Sequence, residues 1–182
     1  MIPSDHFVRF YNEVFKFLDE QGGLQAYYEE ISRHQELHCL ELFRSKGLRG
    51  VVEYYQKIQK EENCEMSIDF LPDRIITRMH RCPSLSKVLD NDSKPCLKYC
   101  DHCAGWSLPL ATKCGIYMVQ NMISRTEPQC RSVRSESREV AEEALRDFLK
   151  SGVLSEMIHS NLADWEEVEK NKKYRVSGKN QL

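Results

Sequence analysis

The sequence is short of most features that announce a function. No apolar run approaches the roughly 18 residues of a membrane span. No sign of charge dominates either: 26 lysines and arginines face 28 aspartates and glutamates, for a net charge of −2. That balance argues against a general nucleic-acid or membrane-surface binder, which carries a basic excess. Glycine is scarce, eight in 182 residues, and none sits in a phosphate-cradling loop or a dinucleotide fingerprint. There is no Ser-His-Asp arrangement and no repeat of solenoid length. The opening stretch, MIPSDHFVRFYNEVFKF, lacks the apolar core of a secretory signal. The expectation is a cytoplasmic chain with a small-molecule ligand and no nucleic-acid or membrane partner.

Cysteine, by contrast, is abundant. Eight are present, and Cys82, Cys96, Cys100, Cys103 and Cys114 crowd one stretch while Cys39, Cys64 and Cys130 stand apart. In a reducing compartment these are expected to be free thiols. The length is one domain's worth and suffices for a core without disulfide staples.

Periodicity divides the chain in three. Ser4 can cap a helix carrying Phe7, Phe10, Tyr11, Val14, Phe15 and Leu18, stopped by Gly22-Gly23. A second helix is expected from Leu24 to about Lys46 and a third from Leu48 to Glu62. The period then changes to two: Cys64, Met66, Ile68 and Phe70 alternate onto one strand face, Pro72-Asp73 supplies a turn, and Arg74–Arg81 reads as the partner strand. A short helix follows Pro83, and Cys96 to about Lys113 reads as a helix bent near Pro109. Ile116–Ser124 and Cys130–Glu136 make a second hairpin. Arg138–Lys150 and an amphipathic stretch over Val153–Trp165 close the pattern, before a polar tail.

The fold expected is therefore α+β: a small antiparallel sheet of two hairpins separated by a Cys-rich helix, flanked by N- and C-terminal helices. As a single domain it divides into a helical lead-in (1–62), a hairpin–helix–hairpin core (63–137) and C-terminal helices (138–170), with residues 171–182 as the tail. The amphipathic helices offer surfaces for self-association.

The central segment carries the chemistry. Cys96, Cys100 and Cys103 fall at i, i+4 and i+7, on one side of a helix. Three readings stay open: thiols packed as small hydrophobes, a reactive thiol site, or a metal site with Cys82 or His102 as fourth ligand. Paired Cys-x-x-Cys knuckles are missing, and His34-Gln-Glu-Leu-His38 lacks the glutamate that directly follows the first histidine in zincins. No metal or cofactor is expected on those grounds. Cys82, before Pro83 at a helix start, is placed for backbone N–H groups to lower its pKa. His80 and His102 flank the cysteines and can serve as acid or base beside a thiol. His38 on the second helix, and Arg125 and Glu127 at the second hairpin turn, are candidates for holding a polar small molecule.

Three motifs carry a family resemblance over Asp69–Glu136: Arg81-Cys82-Pro83 after a strand, Tyr99-Cys100-Asp101-His102-Cys103, and Arg125-Thr126 followed by Cys130 in a terminal strand. This stretch resembles the L-2-amino-thiazoline-4-carboxylic acid hydrolase-like family. It departs from the family's closing Gly-x-x-x-Cys-Asp-Phe element, since the Gly is missing and Arg131-Ser132 follows Cys130. The resemblance implies hydrolysis of a small cyclic amidine- or thiazoline-type compound, with Cys82, Cys100, His102 and Cys103 as catalytic candidates and His38, His80, Arg125 and Glu127 around the substrate. The order of elements also looks like small vinyl-reductase-like ligand-binding domains, which implies a non-catalytic ligand- or metal-binding sensor instead.

Overall fold

The computed structural model describes residues 3–35, 39–90 and 94–178. Helices α1 (Pro3–Glu20), α2 (Leu24–Gln35), α3 (Leu40–Lys46) and α4 (Leu48–Glu61) lead into the hairpin β1 (Glu65–Phe70) and β2 (Arg74–Arg81). Helices α5 (Pro83–Leu89) and α6 (Asp101–Lys113) precede the hairpin β3 (Tyr117–Met122) and β4 (Cys130–Ser135). Helix α7 (Arg138–Lys150), a short strand β5 (Ile158–Ser160) and helix α8 (Trp165–Gly178) complete the described chain.

The two expected hairpins are joined by antiparallel pairing of β2 with β4, and the sheet runs in the order β1-β2-β4-β3-β5. The fifth strand replaces the expected amphipathic stretch: Ile158–Ser160 pairs with Val119–Asn121 at the open edge of β3. Unpaired backbone at a sheet edge is a stronger demand than the period of three residues.

Strand alternation assigns the sheet its two faces. Tyr117, Val119 and Val133 pack with Ala141, Ala144 and Phe148 of α7 and Val168 of α8. On the other face Ile75 and Met118 meet Phe43 of α3, Val51 and Val52 of α4 and Leu110 of α6. A third cluster lies beyond α6, where Phe15 of α1, Tyr28 of α2 and Leu85 and Val88 of α5 enclose Cys96 and Tyr99. Helix α2 approaches α6 so closely that a Cβ on Gly105 would lie 2.9 Å from Cβ of Tyr28. Helix α1 keeps Phe7, Phe10 and Phe17 in solvent.

Three expectations need correction. The helix expected over Leu24–Lys46 gives way to two described helices: Cys39, at φ −130°, starts α3 outside helical geometry, and residues 36–38 lie outside the description. The helix expected from Cys96 begins at Asp101, with Cys100 as its N-cap. Cys96 therefore leaves the helical face; its backbone N–H donates to Oδ1 of buried Asn12 at 2.8 Å, pinning this segment to α1. The polar tail is helical as far as Gly178, because Arg175 is buried and pairs with Glu136 at 2.6 Å.

Candidate functional site

The eight cysteines divide into two sets. Cys39, Cys64, Cys96 and Cys114 are fully buried, whereas Cys82, Cys100, Cys103 and Cys130 each keep some surface. The accessible four come from three points of the fold that converge. Cys82 caps α5 with Pro83 at its first position, and its backbone N–H donates to the carbonyl of Pro128 at 2.6 Å. That bond ties the start of α5 to the β3–β4 turn, two residues before Cys130. Cys100 and Cys103 occupy the first turn of α6, where the Cys103 N–H donates to the Cys100 carbonyl at 3.3 Å.

The central contact is between Cys103 Sγ and His102 Nε2, 3.4 Å apart. The Nδ1 of His102 donates to the Tyr99 carbonyl, which orients the ring and leaves Nε2 for the sulfur. Phe15, Tyr28 and Tyr99 surround the imidazole with centroids 5.6, 6.4 and 5.1 Å away. Such rings favour a cation among them. Burial pulls the His102 pKa down, but the Cys103 charge, its hydrogen bond and the Tyr99 carbonyl overcome it and raise the group to about 9. The reciprocal holds at Cys103: burial raises the thiol, and the charge and hydrogen bond of His102 bring it below its ordinary value. The helix N-terminus also favours a thiolate at this third helical position. The charged forms of the two groups therefore favour one another across this contact.

The other three thiols are protonated. Burial, followed by the Cys103 charge, pushes Cys82 up to about 11 and Cys130 up to about 12, and raises Cys100 further still. At Cys82 the N–H groups of Leu85 and Ser84 do lower the thiol, as the helix start suggested, but they do not outweigh burial. Among the described residues no three His, Cys, Asp or Glu side chains are arranged to hold a metal ion.

A buried polar strip lies under the thiols. On β4, Cys130, Ser132 and Arg134 alternate onto the α4–α6 face, opposite Met79, Thr77 and Ile75 of β2. Arg134, 4% exposed, donates from Nη1 to Ser132 Oγ at 2.7 Å and from Nη2 to the Tyr55 hydroxyl at 2.6 Å, and lies over the Tyr55 ring. Thr77 and Ser132 share a hydroxyl bond of 2.6 Å. A buried guanidinium satisfied by hydroxyls and a ring is a costly construction, and it fixes the floor beneath Cys130. The cavity beside it, between Tyr55, Trp106, Ser107 and Arg134, is about 10 Å³, room for about one water. A groove of about 860 Å³ lies elsewhere, between Arg138, Trp165, Glu169 and Lys172, and no cysteine or histidine lines it.

Of the remaining candidates, the described ones are not drawn to the thiols. His80 is exposed and shares a 3.0 Å bond with Ser67 on the sheet face away from Cys130. Its placement follows from strand alternation, which sends His80 and Met79 to opposite sides. Arg125 serves as a staple, donating to the Leu97 carbonyl at 2.6 Å, to Asp101 at 3.1 Å and to the Glu156 carbonyl at 3.3 Å. Glu127 is exposed in the β3–β4 turn. His38 lies outside the described residues, as does the side chain of His34. Compared with protein-family models, curated proteins and solved structures, the chain has no match. The resemblance noted above therefore rests on its short motifs alone.

Tyr55 and Arg134 were missed by reasoning from sequence, and Cys130 entered only through the family motif, not as a site residue. One signal pointed to them: Cys130, Ser132 and Arg134 place three non-aliphatic residues on successive positions of one strand face, and β2 confronts them with Thr77. A core-facing strand row of that composition departs from the usual apolar pattern.

Proposed function

We propose that the protein hydrolyses a small cyclic amidine- or thiazoline-type compound, with Cys103 as nucleophile and His102 as acid and base. The observation that supports this reading most is the 3.4 Å contact between Cys103 Sγ and His102 Nε2 at a partly accessible position. A thiolate is the nucleophilic form of cysteine, and the paired imidazolium favours it. The thiolate adds to the amidine carbon of the protonated ring compound, forming a C–S bond as the C=N π pair moves onto nitrogen. Collapse of that adduct breaks a ring C–N or C–S bond, and the leaving atom takes the Nε2 proton of His102. Neutral His102 then accepts a proton from the water that attacks the adduct, and departure of the product restores the thiolate. Cys82, Cys100 and Cys130, whose thiols burial holds protonated, do not compete for the electrophile.

The experiment is incubation of the purified chain with 2-amino-thiazoline-4-carboxylate and its ring analogues, following ring opening by chromatography. Turnover that disappears in Cys103→Ser, with Cys82→Ser retaining at least about a tenth of it, is the expected result. Absence of turnover across the series, with ring compounds still protecting Cys103 from alkylation, would favour the non-catalytic ligand-binding alternative instead.

A further inference from the structure

Cys100-Asp-His-Cys103 is a Cys-x-x-Cys pair on the first turn of a 13-residue helix, and hydrolysis uses only its second thiol. Cys100 is the N-cap, with helical dihedrals (φ −73°, ψ −13°), and Cys103 is the third helical residue. Residues three apart on a helical turn share one face, with Cα atoms about 5 Å apart by helix geometry. A disulfide needs a Cα separation of roughly 4.4–6.8 Å. The backbone is thus already in place for a bridge. Both residues are only partly buried, and neither is in a disulfide. His102, between them in sequence, touches one of them through Nε2.

We infer that Cys100 and Cys103 form a redox-active dithiol that reduces low-molecular-weight disulfides, an activity independent of ring hydrolysis. The Cys103 thiolate attacks one sulfur of a disulfide RS–SR, forming a mixed disulfide and releasing RS⁻, which takes the Nε2 proton of His102. Cys100 then attacks the Cys103 sulfur, expelling the second RS⁻, and the Cys100 proton passes through solvent to that group. Two electrons and two protons leave the protein, and one RSSR becomes two RSH. Burial holds the Cys100 thiol protonated first, and the Cys103 charge does so second. The mixed disulfide removes the lesser of these two causes, so Cys100 ionises more readily after the first step than before it, with burial still opposing.

The test uses glutathione disulfide as the oxidant with the full chain at pH 7, followed by acid quench, alkylation of free thiols and tryptic mapping without reductant. Cys100 and Cys103 fall in one tryptic peptide, Tyr99–Lys113. The expected result is that this peptide loses two hydrogens and takes up no alkyl group, while Cys82 and Cys130 remain alkylated. In Cys100→Ser the reaction should stop with glutathione on Cys103, and in Cys103→Ser Cys100 should stay a free thiol. An unchanged Tyr99–Lys113 peptide after equilibration, or a bridge from Cys103 to Cys82 or Cys130, would overturn the assignment. The wild-type map decides this even where a variant fails to fold.

Discussion

Replacing His102 by glutamine is expected to slow iodoacetamide labelling of Cys103 at pH 7 by about tenfold or more. The imidazolium is what brings this buried thiol below its ordinary value, and each pKa unit regained is a tenfold loss of thiolate while the thiol is mostly protonated. Glutamine keeps a side-chain amide near the Tyr99 carbonyl but carries no charge. In the unaltered protein Cys103 should label far ahead of its neighbours, since a thiol held at about 11, as Cys82 is, has about one molecule in ten thousand ionised at pH 7. Labelling followed by peptide mapping reads each cysteine separately. Uniformly slow labelling of Cys82, Cys100, Cys103 and Cys130, unaffected by His102→Gln, would make all four packing residues.

The largest loss of stability is expected at a residue far from the thiols. Asn161, 1% exposed, accepts from the Met118 N–H at 2.8 Å through Oδ1. Its Nδ2 donates to Thr112 Oγ1 at 2.9 Å and to the Ile116 carbonyl at 3.0 Å. One side chain thereby satisfies backbone groups at the start of β3 and links them to the end of α6. Alanine leaves the Met118 N–H and the Ile116 carbonyl buried without those partners, at about 1–3 kcal/mol each. A loss of about 4 kcal/mol and a fall in Tm of about 8–16 °C follow for a chain of this size. Thermal unfolding of Asn161→Ala measures it; a change in Tm below about 3 °C would mean that the three bonds contribute little.

Much of the fold was legible because two periods alternate cleanly along the chain. Met66 and Ile68 face the α4–α6 side of the sheet as their spacing of two implied. Strand β5 was not legible, since three residues carry too little pattern and their pairing is fixed by the free edge of β3. Cys96 was misplaced because the i, i+4, i+7 spacing ignores capping: Cys100 ends the run of non-helical chain and Asn12, 84 positions away, holds Cys96. At the site, the concentration of cysteines was visible but its division was not. Which thiols are packed and which are accessible depends on contacts between α1, α5, α6 and β4. Cys103 stood among several candidates; what distinguishes it from the other thiols is its contact with His102, an imidazole itself set among Phe15 and Tyr99.

The charge pair also leaves a signature in pH dependence. His102, raised from 6.5 to about 9, contributes stability that is fully present below 6.5 and lost as pH rises through about 9. Cys103, lowered from 9.0, contributes stability that is present above 9.0 and lost as pH falls through its own reduced value. Between these limits the two slopes have opposite sign and offset, because the proton moves from sulfur to nitrogen within the protein. Unfolding free energy is therefore a poor reporter of the pair, and the ionisation of the sulfur itself is the direct one.

Thiolate absorbance in the ultraviolet reports that ionisation, and titrating the unaltered chain against Cys103→Ser from about pH 5 to about pH 11 isolates the one sulfur that differs. A step in the difference signal centred below pH 9, shifted upward by His102→Gln, is the result expected of a thiolate–imidazolium pair. A difference signal that rises only at pH 9 or above, and is the same with and without His102, would contradict it.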